Sequence, residues 1–223
     1  MKKILYKNNM ACKVCSQAVT CIFDEKDTIP YYWCMQCDYI SIDEGKIISH
    51  AEEKERYSKH ENTCANKGYV RMFNDFIEKT VMRYSSHVHT VLDFGCGTSP
   101  VLATLLTERG FSVDIYDKYF APEKVYENKK YDLITATEVF EHVRDPLGVM
   151  NLFKHHLTER GIVAIMTLFH PNDFVQFKKW WYRKDATHIS FYTPKTFQYI
   201  AHIFGLKILR ADNKNVCVFE KNE

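Results

Sequence analysis

Apolar positions along this chain of 223 residues change their spacing twice, and the changes mark three zones. Residues 1–50 carry short aromatic and β-branched runs between turn residues, the pattern of a small module built from short strands. Residues 51–86 open with a charged stretch, Ala51–Tyr57. Tyr69, Met72, Phe73, Phe76 and Ile77 then follow at i, i+3, i+4, i+7 and i+8, which predicts an amphipathic helix in a helical linker. Residues 87–223 alternate strand-like and helix-like stretches. Strands are predicted over Thr90–Phe94, Phe111–Tyr116, Tyr131–Thr137 and Gly161–Phe169. Helices are predicted over Pro100–Arg109, Pro146–Leu157 and Pro194–Phe204, each with proline near its start, and Gly110 and Gly205 stop the first and last. Leu206–Ala211 and Val216–Glu220 flank Asp212–Asn215 as a hairpin. The expected class is α/β, with a mainly parallel sheet that finishes antiparallel.

Composition narrows the possibilities further. Hydrophobic residues make up 46% and charged residues 26%, an ordinary globular balance. The formal net charge of +2 gives no ground for reading nucleic-acid binding from charge. Residues 1–50 set Lys2, Lys3, Lys7, Lys13, Lys26 and Lys46 against Asp24, Glu25, Asp27, Asp38, Asp43 and Glu44, so this zone has no cationic excess either. The longest apolar run, Ile162–Phe169, is far shorter than the ~20 residues that cross a bilayer, so no membrane association is expected. Met1–Lys7 is charged without a following apolar stretch, so no export signal and a cytoplasmic location are expected. In a reducing compartment, metal binding or burial outranks disulfide formation for the cysteines.

Cys12-x2-Cys15 and Cys34-x2-Cys37 stand 18 residues apart, within the range of two-knuckle zinc sites. Each CxxC turn presents two thiolates to one side, and two such turns complete the tetrahedron that Zn2+ favours. Four thiolates leave no open position, so the expected zinc is structural in a zinc-ribbon-like module. Cys21, Cys64, Cys96 and Cys217 lack paired spacing and read as buried small side chains, with Cys21 a weak competitor as ligand.

Val91-Leu-Asp-Phe-Gly-Cys-Gly-Thr98 is a strand running into a glycine turn before a helix, and Asp117 ends the next strand. Glycines let backbone approach a ligand closely, and a carboxylate so placed can accept both hydroxyls of a ribose. This motif resembles the first motif of class I S-adenosylmethionine (SAM) dependent methyltransferases, which have a Rossmann-like sheet. Tyr131–Pro146 is similar to the segment after their fourth strand, and the terminal hairpin matches their antiparallel last strand. The likeness covers about residues 87–223. It implies that Asp93, Phe94, Gly95, Cys96 and Gly97 line the methionine part of SAM, that Asp117 holds the ribose, and that Thr137 and Glu138 lie beside the sulfonium. A dinucleotide-dependent oxidoreductase would want a third glycine near position 100, where proline stands. Only 13 residues separate Asp117 from Tyr131, too few for the helix, strand and helix usual there, so an abbreviated connection is expected and adenine recognition is unplaced.

Glu138-x-x-Glu141-His142 follows the cofactor strand, and a helical start would put the three on one face. The segment resembles an ExxEH element in ubiquinone-pathway O-methyltransferases and small-RNA 2′-O-methyltransferases, where it contributes to a metal site. A second divalent ion at Glu138, Glu141, His142 and His188 is one reading; packing or substrate binding is the other. His142 and His188 also suit proton removal from an acceptor, with Glu138 beside them. Phe174–Lys184 mixes aromatic and basic residues and suits either an acceptor wall or a core cover. Tyr57, with Arg56, His60 and Asn62, could close over the site, or these residues form a polar linking helix. The favoured function is a small-molecule methyltransferase, with O- or N-methylation ahead of C-methylation. An RNA methyltransferase whose zinc module grips nucleic acid, and a non-enzymatic adaptor, are the alternatives.

Overall fold

The structure, a computed structural model, describes residues 5–23, 29–59, 62–84 and 86–222. The first zone folds as strands β1 (Leu5–Ala11), β2 (Ala18–Phe23), β3 (Pro30–Trp33) and β4 (Ile40–Ile42). Helices α1 (His50–Ser58), α2 (Lys67–Lys79) and α3 (Val81–Tyr84) follow. The remainder runs β5 (Thr90–Phe94), α4 (Val101–Thr107), β6 (Ser112–Tyr116), β7 (Tyr131–Thr137), α5 (Pro146–His156), β8 (Leu157–Met166) and α6 (Phe174–Lys179). It closes with β9 (Ser190–Phe191), α7 (Pro194–Phe204), β10 (Leu206–Ala211) and β11 (Val216–Lys221).

The main sheet has six strands in the order β10-β11-β8-β7-β5-β6. β6, β5, β7 and β8 are parallel, and β11 pairs antiparallel with β8 and β10. The predicted stripe on α2 buries Phe73, Phe76 and Ile77 with Val101, Leu102 and Leu105 of α4 in one cluster beside Val91. A second cluster joins Met150 and Phe153 of α5 and Phe197 and Ile200 of α7 to Leu92 and Ile134. Helices therefore cover both faces, as a parallel sheet requires. The strand ends carrying Gly95, Asp117 and Glu138 all meet at one edge of this layered core. Between Asp117 and Tyr131 there is neither helix nor strand, which leaves β6 at the sheet edge.

The cysteine-bearing sheet is less separate than its sequence implies. Its order is β1-β2-β3-β4-β9, so its last strand comes from residues 190–191. Tyr39 is 1% exposed and shares a hydrogen bond of 2.8 Å with Ser190. Tyr31, Trp33 and Ile40 share a cluster with Phe177, Tyr182 and Phe191. A small sheet has too little apolar surface to be stable alone, and this packing supplies the missing half. Two boundaries also move. The fourth parallel strand begins at Leu157 instead of Gly161. Glu138 is not helical: it takes φ 54°, and only a short 3-10 turn, Phe140–His142, follows.

Candidate functional site

The two CxxC turns fold alike. In each, the residue after the second cysteine is left-handed, Ser16 at φ 59° and Asp38 at φ 61°. Its amide donates to the first cysteine's carbonyl: Ser16 N to Cys12 O at 3.0 Å, and Asp38 N to Cys34 O at 2.9 Å. All four Sγ atoms lie within 4.8 Å of one another. Cys12 and Cys37 approach to 3.5 Å, and Cys15 and Cys34 to 3.4 Å. Ligands ~2.3 Å from a tetrahedral ion would stand about 3.8 Å apart, so the donor set fits one metal ion. Within this coupled set, contacts with Cys12 and Cys37 hold the Cys34 thiol far below its ordinary value, while the same contacts and burial raise Cys12 and Cys37. Cys21 is not among the four.

A cavity of about 1240 Å³ opens at the carboxyl end of the parallel strands, the usual ligand side of such sheets. Asp93, Phe94, Gly95, Cys96, Gly97, Asp117, Thr137, Glu138, Tyr57, His142 and His188 all line it, as does Glu141. Asn62 lines it too, whereas His60 lies outside the described residues.

One end of the cavity is mainly backbone. Gly95 (φ +83°) leaves β5 so that its amide reaches Tyr116 O at 2.7 Å, and a Cβ here would stand 2.3 Å from Val139 Cγ2. Gly97 (φ +69°) would point a Cβ into open space. Asp117 Oδ2 accepts from Gly97 N at 3.1 Å, and Oδ1 accepts from Tyr119 N and Phe120 N at 2.8 and 3.1 Å. The carboxylate is thereby fixed at the cavity wall. Beneath the turn, Asp93 is 2% exposed and accepts from Thr135 Oγ1 at 3.0 Å. Burial pushes its pKa up to about 7, with Thr135 and Ala103 opposing and Asp117 adding to the rise. Burial, Asp93 and Asp117 likewise push the Cys96 thiol up to about 12, so it stays neutral.

The other end is made of side chains. Glu141 is 0% exposed, and its Oε2 lacks a hydrogen-bond partner. Oε1 accepts from Tyr182 Oη at 2.5 Å, and the same hydroxyl stands 3.2 Å from Glu138 Oε2. His142 Nδ1 donates to Thr187 O at 2.9 Å, and His188 Nδ1 donates to Tyr182 O at 2.7 Å. A carbonyl only accepts, so each Nδ1 holds the proton and each Nε2 keeps a lone pair. Glu141, His142 and His188 each offer a ligand atom within 4.8 Å of the others. Burial and the nearby His142 keep His188 below the ordinary imidazole value. Burial and the charge of Glu141 raise Glu138 well above the usual carboxylate range, although its surface opens onto the cavity.

The left-handed turn at residue 138 corrects the expectation of a shared helical face. Glu141 and His142 converge with His188 because Ile189 N bonds Glu141 O at 2.7 Å, tying residues 182–190 to the 3-10 turn. Glu138 points at Tyr182 instead and is not in the three-residue cluster. The sequence placed Tyr182 only within the Phe174–Lys184 stretch, suited to an acceptor wall or a core cover, without singling it out. Sequence reasoning missed Glu53, Lys118 and Tyr119, which no local pattern marks.

A family model described as "Methyltransferase domain" matches residues 58–211. Magnesium protoporphyrin IX methyltransferase from Synechocystis PCC 6803, solved with bound SAH, superposes with TM-score 0.53 at 16% identity, over 78% of this chain and 95% of that one. An O-methyltransferase family protein from Burkholderia thailandensis superposes with TM-score 0.52 at 13% identity, over 77% of this chain and 63% of that one. This chain thus spans somewhat less than two thirds of that second protein. At these identities the likeness is one of fold. No curated protein matches the sequence. Among the described residues, no helix is long and apolar enough to cross a membrane.

Proposed function

Since the chain belongs to the methyltransferase-domain family, enzymes that use SAM, we propose that it methylates a hydroxyl or amine of a small molecule, with a hydroxyl preferred. The observation that carries this reading is the pair of imidazoles, His142 and His188, with Nδ1 donating to carbonyls and Nε2 free, in the same cavity as the glycine turn.

The residues at the backbone end fit SAM. Gly97 leaves open room, Gly95 allows the close turn, and the Asp117 carboxylate suits a ribose diol. SAM, when bound, supplies a methyl group already activated by a positive sulfur. The protein's share is then to fix the acceptor, exclude water and take a proton. His142 Nε2 is placed to accept that proton, and Glu141 Oε1, 4.0 Å away, favours the imidazolium that results. Tyr182 donates into the pair formed by buried Glu141 and cavity-facing Glu138 and keeps the two carboxyl groups compatible at close range.

A second reading is favoured by one observation, the orphaned Oε2 of buried Glu141. A buried acceptor without a donor suits a cation, and Glu141, His142 and His188 would hold a divalent ion there. Such an ion would supply a lowered hydroxyl pKa at the acceptor. The N-terminal zinc is proposed on the four thiols and is structural.

The test is transfer of labelled methyl from SAM into separated small-molecule, RNA and protein fractions, with EDTA or added Mn2+ as a second variable. Label in the small-molecule fraction that is lost in His142→Ala supports the proposal. Label confined to RNA or protein overturns the acceptor assignment, and loss of transfer in EDTA, restored by Mn2+, selects the second reading. Metal content of Cys37→Ser should fall from about one zinc per chain to none, as read by atomic absorption.

A further inference from the structure

We infer that Glu53 is a positioning residue that carries the state of the cofactor end of the cavity to the acceptor end through α1. The inference rests on the proposal that SAM occupies the end formed by Gly95 and Asp117.

The helix itself gives the first reason. α1 reads His-Ala-Glu-Glu-Lys-Glu-Arg-Tyr-Ser, and its only buried residue is Glu53. A nine-residue helix is marginal in water, and the Ser49–Glu52 capping box adds only about 1 kcal/mol. Its position must come from tertiary contacts, yet no apolar stripe supplies them. The contacts are polar and converge on one carboxylate. Lys118 Nζ donates to both Glu53 oxygens at 2.8 and 2.9 Å, Tyr119 Oη donates at 2.6 Å and Tyr57 Oη at 2.8 Å. Burial alone would raise the Glu53 pKa, but these donors leave it below the ordinary value. A carboxylate 7% exposed stays there only while its donors do.

Those donors belong to the cofactor end. Lys118 and Tyr119 directly follow Asp117, which orders their turn by accepting from the amides of Tyr119 and Phe120. A ligand that fixes Asp117 therefore fixes the donors to Glu53. On its other side, Glu53 holds Tyr57, whose ring meets His142 edge-on at 5.2 Å. One turn of α1 also reaches the acceptor segment directly. Arg56 stands 3.4 Å from Asp185, and Asp185 accepts from Thr187, whose carbonyl holds His142 Nδ1. Packed, hydrogen-bonded contacts thus run without a gap from Asp117 to the imidazole.

Hydrogen exchange with SAH as the probe tests this, together with the NMR signals of the His142 imidazole. In the unaltered chain, saturating SAH should slow exchange at residues 94–97 and, by about tenfold or more, at residues 50–58, and should move the His142 signals. In Glu53→Ala, SAH should still protect residues 94–97, while protection of α1 and the His142 shift disappear. Lys118→Met, which alters a half-exposed side chain and leaves the core intact, should uncouple the two ends in the same way. Glu53→Gln, keeping shape and one acceptor oxygen, should restore part of both responses. Protection of α1 that survives in Glu53→Ala and Lys118→Met, or that is absent from the unaltered chain while residues 94–97 are protected, overturns the inference. Absence of SAH protection anywhere removes the cofactor reading itself, and the coupling with it.

Discussion

The two ends of the cavity are built by opposite means. At the end proposed for the cofactor, backbone geometry does most of the shaping: two left-handed glycines, amides aimed at Asp117, and one fixed carboxylate. At the end proposed for the acceptor, side chains from residues 57, 138–142 and 182–188 converge on a pocket that no single element forms. A backbone cradle serves a part shared by every reaction of a family, because peptide groups cannot be exchanged. A side-chain cradle can be altered residue by residue, which is how one fold accepts many acceptors. The difference teaches where each kind of substitution should register.

Breaking the acceptor end should have the largest effect. His142→Ala is expected to slow methyl transfer by about 10²–10³, the usual worth of a positioned proton acceptor, while SAH affinity stays within about threefold. Single-turnover rates and calorimetry on one preparation check both halves, and equal losses in rate and SAH affinity would erase the distinction between the ends. Next comes Gly95→Ala. A Cβ there meets Val139 Cγ2 at 2.3 Å on a backbone of φ +83°, so stability should fall by about 2–4 kcal/mol in urea titrations, with SAH binding weakened about 100-fold. Val139 adjoins Glu138, so this variant should disturb the acceptor end as well; a normal acceptor end would show that the two are independent.

Asp117→Asn sharpens the cofactor end. It keeps the side chain's size but loses charge and acceptor capacity, so SAH affinity should drop about tenfold, read by calorimetry. A further effect concerns pH. Asp93 is pushed from 3.8 to about 7 in the fold, so the folded state binds its proton more tightly than the unfolded chain does. Its contribution to stability is complete below pH 4 and is lost as pH rises through 7. Relative to Asp93→Asn, the unaltered protein should therefore lose about 3–4 kcal/mol more between pH 4 and 7.5. Parallel urea curves for the two proteins would contradict that burial dominates at Asp93.

Much of the glycine-turn end was legible beforehand because it is contiguous. Val91 to Val101 holds the strand, turn and helix start in one stretch, and Asp117 follows at the end of the neighbouring strand. The acceptor end was legible only in part. Glu138, Glu141 and His142 stood out as a motif, but a helical face was the wrong geometry for them, since Glu138 takes φ 54° and turns toward Tyr182. Tyr182 was hidden in an aromatic run where Trp181 is 69% exposed and Tyr182 3% exposed, a contrast that neighbouring positions do not reveal. Glu53 gave no signal, because a glutamate on a polar helix reads as solvated until its donors are placed.

By itself, the sequence determined what depends on local spacing. That covers the period of each element, the glycine turn with its acidic partner, and the paired cysteines whose two turns fold alike. The tertiary structure alone decided what depends on distant segments meeting. It borrowed β9 for the cysteine sheet, turned Glu138 away from Glu141, His142 and His188, and set Glu53 among Lys118, Tyr119 and Tyr57. The physical reason is the range of the forces. Backbone conformation and turn chemistry act over a few residues, whereas burial and the pairing of buried charge act over whatever the fold places within a few ångströms.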